Sequence, residues 1–132
     1  MAFLIHTTGD HRVPVNKKLP CAAITPKVGM ALVLGTGGTL AIASGTTKPT
    51  HICMEEHEDA VAAGTMIHTI QVEPDITFGV PLTVAGAALK VGSKVTISAD
   101  GLGVTATTEG GTARIEKIYG TAVDDIVLVQ FV

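Results

Sequence analysis

Aromatic side chains are nearly missing from this chain of 132 residues, which has no Trp, one Tyr and three Phe. That scarcity argues against a glycan platform, because sugars stack on Trp and Tyr faces and only Tyr119 is available. It argues equally against single-stranded nucleic acid, which is held by base stacking on aromatics along a cationic groove. Basic residues number nine against twelve acidic ones, for a net charge of −3, and they are scattered. Without clustered Lys and Arg there is no footprint for a phosphate backbone, and no nucleic-acid partner is expected. Residues 1–5 are apolar, but the stretch is short, has no basic start and is interrupted by His6. Neither a secretory signal nor a membrane span is therefore expected. Cys21 and Cys53 are the only cysteines, too few for a disulfide framework. Both are expected to be reduced, with Cys53 serving as a small apolar residue of a strand.

What is present points to strands. The chain is 46% hydrophobic, so with so few aromatics its core must come from Val, Ile, Leu and Ala. Fifteen Gly and six Pro, together with frequent Thr, favour short strands joined by turns, because Thr and Val lose χ1 freedom in a helix and fit a pleated sheet. An all-β class follows, in one domain of ordinary size or two very small β-modules sharing a core. Residues 27–57 and 90–120 match each other sixty-three positions apart: Lys27-Val28-Gly29 recurs as Lys90-Val91-Gly92, Gly38 as Gly101, Ala43 as Ala106 and Ile52 as Ile115. Two copies with so long a period do not make a solenoid, which needs several stacked units. They suggest two related β-units, at about residues 27–80 and 90–132.

Residues 1–20 show no sustained periodicity and contain Gly9, Pro14 and Pro20, so they are expected to form an extended N-terminal arm preceding a compact β domain over residues 21–132. Residues 30–34 and 39–43 flank the glycine-rich turn 35–38 and read as a hairpin. Strands are expected at 50–54 and at 65–72. Residues 94–99 and 103–107 form a second hairpin around Asp100-Gly101, a strong turn signal because glycine takes positive φ readily. Strands at 113–119 and 125–132 complete the pattern. Residues 73–81, with Pro74 and Pro81, read as a connection, and short helices are expected at 56–63 and 85–89.

The chemical candidates are sparse. On a strand His51, Cys53 and Glu55 would share a face, and with His57 or His68 they could be imagined as a soft metal site. No CxxC pair or HExxH spacing accompanies them, so the segment reads more simply as a strand ending in an acidic turn, and no metal is expected. No GxSxG elbow surrounds any of the three serines, and 35–38 lacks the GK[ST] ending of a phosphate loop. No catalytic residue and no cofactor is expected. His6 and His11 read as surface residues of the arm.

Two stretches carry a family likeness. The first runs from Ile24-Thr25-Pro26 through Thr39-Leu40-Ala41 and Gly45-Thr46-Thr47 to about Pro81. The second runs from Val91-Gly92 through Val95-Thr96-Ile97, Asp100-Gly101, Val104-Thr105-Ala106-Thr107 and Gly111-Thr112-Ala113 to Asp125-Ile126-Val127-Leu128-Val129. In both, the chain resembles the lambda-type head-decoration, or capsid-cement, proteins of tailed bacteriophages. The resemblance implies a small β-barrel or β-tulip-like domain and a non-enzymatic virion protein, made in the host cytoplasm and placed on the outer capsid surface. It implies homotrimers at three-fold or quasi-three-fold sites that stabilise the mature capsid by binding the major capsid protein. The arm would then add a strand to a sheet of that partner. In that arrangement Phe3, Leu4, Ile5, Val13 and Val15 are the apolar anchors, and Arg12, Lys17 and Lys18 face an acidic capsid surface. Packing of the same apolar residues on their own domain is the competing reading. The alternative function is a small stand-alone β-barrel binding module for a glycan or a metal.

Overall fold

A computed structural model describes residues 2–9 and 13–132. Among the described residues ten strands form two five-stranded antiparallel sheets, and no α-helix occurs. The strands are β1 (Leu4–Thr7), β2 (Asn16–Pro20), β3 (Ala31–Leu34), β4 (Leu40–Ile42), β5 (His51–Cys53), β6 (Met66–Gln71), β7 (Thr77–Pro81), β8 (Lys94–Val95), β9 (Ala113–Ile118) and β10 (Ile126–Phe131). Sheet I has the order β2-β6-β5-β3-β4, and sheet II the order β1-β7-β10-β9-β8. The all-β expectation holds. Along one side the sheets are stitched by single bridges, from Gly45 to Ile97, from Ile97 to Val104 and from Val104 to Leu82.

The main core lies between the sheets. Sheet I contributes Ala31, Ile52 and Ile70, and sheet II contributes Phe78, Val80, Val95, Ala113, Ile115, Val127, Val129 and Phe131. These alternate along each strand, as the period of two requires. All three phenylalanines meet here: the Phe3 ring is 5.2 Å from Phe131 and 6.4 Å from Phe78, and Phe78 is 5.5 Å from Phe131. The few aromatics are thus spent at one point of the core, where large rings remove the most apolar area from water.

A second cluster covers the outer face of sheet I, with Cys21, Met30, Leu32, Leu40, Cys53 and Ile67 buried beneath Leu19, Ile24, Ile42, Val61 and Leu102. The cover is irregular chain. Residues 56–63, expected as a helix, are irregular chain with a bend at 58–59 instead: the His57 N–H donates to Pro26 O and the Val61 N–H to Ile24 O, both at 2.9 Å. Those pairings take the donors a helical turn would have used. Residues 85–89 form a single turn closed by the Leu89 N–H on Gly86 O.

The first twenty residues contribute β1 and β2, the terminal strands of the two sheets, so the segment passes from the edge of sheet II to the edge of sheet I. Phe3 docks because Gly29 has no side chain: a Cβ there would collide with Ala2 and sit 2.9 Å from Phe3 O. The Phe3 N–H donates to Gly29 O at 3.0 Å. Residues 77–81, read from sequence as a connection, are β7, an inner strand of sheet II between β1 and β10. Pro81 is tolerated because it is the last residue of that strand.

Candidate functional site

Two surfaces stand out, one on each sheet. On sheet II the register pairs Leu4 with Gly79 and Gly79 with Leu128, which places all three on the face away from the core. That face is divided. At one end a polar ladder crosses three strands: Arg114 Nε donates to Glu116 Oε1 at 2.8 Å, Arg114 Nη2 to Gln130 Oε1 at 3.2 Å, and Gln130 Nε2 to Thr77 Oγ1 at 3.0 Å. At the other end an apolar groove of about 250 Å³ is lined by Leu4, Ile126, Leu128 and Tyr119, with Ala2, Ile5, His6 and Gly79 completing it. Gly79 supplies the floor, since a Cβ there would fill the space against Leu128 and Ile126. Lys117 stands 4.9 Å over the Tyr119 ring at the rim. The strand bordering the groove, β1, pairs with β7 alone in the sheet, so its other edge is open to a further strand.

On sheet I, at the end not covered by the second cluster, lies a pocket of about 620 Å³ lined by Leu34, Lys48, Pro49, Thr50, His51, Gln71 and Val72. Its polar centre is His51, only 6% exposed. Thr50 Oγ1 accepts the Leu34 N–H at 2.8 Å and lies 2.8 Å from His51 Nδ1. The hydroxyl keeps a second lone pair as well as its proton, so it can serve Nδ1 as donor or acceptor; where it donates, the proton of the neutral imidazole sits on Nε2. Burial, and secondarily the charge of Lys17, holds His51 below the usual histidine range. Nε2 has no protein partner and is not sealed from solvent, because the only buried side-chain polar atom without a partner among the described residues is Thr112 Oγ1.

The sequence singled out His51, Cys53, Glu55, His57 and His68 as conceivable metal ligands. The structure spreads them. His51 and Cys53 share a face of β5, opposite Gln71 and Thr69 on β6, but Cys53 is sealed in the cluster over sheet I while His51 opens on the pocket. Glu55 turns to the neighbouring loop, its Oε2 3.0 Å from His57 Nε2 and its Oε1 accepting the His68 N–H at 2.8 Å. The hydrogen bond with His57, followed by that from the His68 backbone, holds the Glu55 carboxyl below the usual range. No group of three or more metal-binding side chains is assembled among the described residues. Burial pushes both the Cys21 and the Cys53 thiols up, and neither cysteine is in a disulfide.

Of the residues assigned to a docking arm, Phe3 belongs to the core and cannot anchor a partner. Its apolar character was legible, but its destination depends on Gly29, far away in sequence. Leu4 and Ile5 are exposed at the groove. Val13 is 81% exposed and Val15 is also exposed, and Lys17 and Lys18 are exposed on β2. Arg12 and His11 lie outside the described residues. Gly79, Ile126, Leu128 and Tyr119 were not singled out from sequence as surface-forming. The one available signal was a glycine inside an apolar run, which marks a close approach or a gap in a sheet.

Fold and surfaces together define a two-sheet, all-β protein with an open apolar sheet face and a polar pocket on opposite sheets. No family model matches the chain, and no curated protein matches it. Among solved structures it is similar to the N base of head fiber gp8.5 of bacteriophage phi29, with a TM-score of 0.57 and 16% identity. That match covers 91% of this chain and 95% of the other, so the likeness extends over the whole fold. No helix among the described residues is long and apolar enough to cross a membrane.

Proposed function

We propose that this chain is a non-enzymatic structural protein of a bacteriophage head, held on the outer capsid surface by the major capsid protein. The observation that carries the reading is the likeness, over almost the whole of both chains, to the base of a phage head fiber. The family resemblance read from the sequence arrived at the same class of virion protein by a different route. The finer reading is that homotrimers occupy three-fold or quasi-three-fold sites and stabilise the mature capsid. Contact runs through the open edge of β1 and the groove beside it. A capsid strand added to β1 gains backbone hydrogen bonds, and its side chains enter the space above Gly79. Lys17 and Lys18, on the edge strand of the other sheet, meet acidic capsid groups.

Because Phe3 is part of the core, deleting residues 2–16 would unfold the protein and decide nothing about docking. Leu4→Asp is the sharper variant, since Leu4 is 54% exposed and its loss spares the core. The test is co-sedimentation of the full chain with expanded heads and with unexpanded procapsids of the phage that encodes it. Saturable binding to expanded heads, weakened about tenfold or more by Leu4→Asp, is the expected result, the loss of one buried apolar anchor being worth about 1.4 kcal/mol or more. Absence of binding to either particle overturns the reading and favours the stand-alone binding module. Full binding by the folded Leu4→Asp protein removes the β1 groove from the interface.

A further inference from the structure

We propose that the pocket beside His51 is a recognition site for a carboxylate on a short aliphatic stem, the side chain of a glutamate in an acidic protein segment. The inference goes beyond capsid attachment and does not depend on it. Three features of the pocket specify the ligand. First, Thr50 Oγ1, which accepts the Leu34 N–H, engages His51 Nδ1, so Nε2 is the ring nitrogen left for a ligand, and it presents an N–H when Thr50 donates to Nδ1. An N–H there without a protein partner favours a group that accepts from it, and a carboxylate oxygen is the strongest acceptor a protein side chain offers. Second, two cationic side chains serve the site, Lys48 in its lining and Lys17 close enough to bear on the charge of His51, against the one carboxylate of Glu73 that Gln71 holds. Third, the walls are Leu34, Pro49 and Val72, which suit methylene groups behind the charged end.

Gln71 Nε2 gives one of its two N–H groups to Glu73 Oε1 at 2.8 Å, which leaves a single N–H beside His51. Phosphate is a poorer fit. A dianion calls for several N–H donors or an Arg fork, whereas this pocket offers two neutral N–H groups at most and one lining lysine.

The experiment is an NMR titration of the ¹⁵N-labelled full chain, following the ring nitrogens of His51. The ligands are N-acetyl-glutamate N-methylamide, its glutamine counterpart, acetate and inorganic phosphate. The expected result is a saturable shift of His51 Nε2 with the blocked glutamate and none with the blocked glutamine, which has the same shape without the charge. Acetate, lacking most of the stem, binds more weakly. Lys48→Ala, an exposed substitution that leaves the core intact, weakens glutamate binding about threefold, as expected for a solvent-exposed charge pair. Equal responses to blocked glutamate and glutamine overturn the proposal. So does tighter binding of phosphate than of any carboxylate, or an affinity left unchanged when Lys48→Ala and Lys17→Ala are combined. Blocked glutamate binding in solution by a protein that does not bind heads would support the pocket while refuting the capsid reading, so the two stand or fall separately.

Discussion

The two sheets are built from the matching stretches of sequence, yet they finish differently. Residues 31–34, 40–42 and 51–53 are β3, β4 and β5 of sheet I; sixty-three positions on, β8, the segment around Val104 and β9 occupy corresponding places beside sheet II. The turn glycines agree in conformation as well as in sequence: Gly29 and Gly92 have φ of 82° and 94°, and Gly38 and Gly101 have φ of 82° and 73°. What differs is the outer face. That of sheet I is sealed by the cluster around Leu32, Leu40 and Cys53, whereas that of sheet II carries a polar ladder and an open groove. A shared strand pattern therefore fixes how each sheet meets the common core. The chain between strands decides which outer face is left for binding.

The same substitution on the two outer faces should separate them most clearly. Leu32 is fully buried beneath the cover of sheet I, and Leu4 lies exposed on sheet II. Leu32→Ala removes buried methyl groups and leaves a cavity, and should cost about 3 kcal/mol. Leu4→Ala, at an exposed site, should stay within about 0.5 kcal/mol. Urea unfolding followed by circular dichroism checks both, and comparable losses would mean that the groove on sheet II is packed as tightly as the cover on sheet I.

The second contrast lies in the paired hairpin turns. Gly38 needs its glycine only for its backbone, since nothing lies within 4 Å of a Cβ built there. Gly101 needs it for contact too: its carbonyl accepts the Ala31 N–H at 2.8 Å, and a Cβ would sit 3.0 Å from Ala31 O and from Ile42. The tip of the second hairpin is thus wedged against sheet I, while the tip of the first projects freely. Gly38→Ala should cost about 1 kcal/mol for the left-handed conformation alone. Gly101→Ala should exceed that by a further 1 kcal/mol or so, because overpacking is added to the same backbone strain. Equal costs in the same urea experiment would remove the wedge from the account.

The turns and several strands of the two regions were legible in the sequence because they rest on residues with local physical demands. Gly38 and Gly101 are required by turn geometry, and runs containing β-branched residues bounded by turns mark β6, β9 and β10. The three strands that were missed give no such signal. β1 and β2 are short, exposed edge strands with no burial alternation, and β7 contains Gly79 and ends in Pro81, both of which read as breakers. The acidic segment after Cys53 has helix-forming residues, but its backbone donors are taken by Pro26 and Ile24 from far along the chain. His51 was visible as a chemical candidate. Its place in the pocket was not, because Leu34 and Gln71 come beside it only through the pairing of β5 with β3 and β6.

The smallest expected effect concerns acid, and it bears on sheet I. His51 is held below its ordinary value, so the unfolded chain takes up its proton near pH 6.5 while the folded protein resists doing so. Where the unfolded state binds more protons, stability rises with pH. The contribution of His51 is therefore complete above about pH 6.5 and is lost as pH falls through its folded-state value. Glu55 acts in the same direction in a lower window: its carboxyl is depressed by His57 and the His68 backbone, so its contribution is present above about pH 4.3 and is lost as pH falls through the lower folded value. The two windows can be separated by substitution. Urea midpoints of the wild type should decline between pH 7 and pH 5, and His51→Gln should flatten that segment. Glu55→Gln should leave that segment unchanged and alter only the decline at lower pH. A His51→Gln protein that keeps the full loss between pH 7 and pH 5 would show that the imidazole is no more costly to protonate in the fold than outside it. Nε2 would then meet an incoming carboxylate as part of a freely charging imidazole, which donates more strongly once protonated, so carboxylate binding would tighten as pH falls.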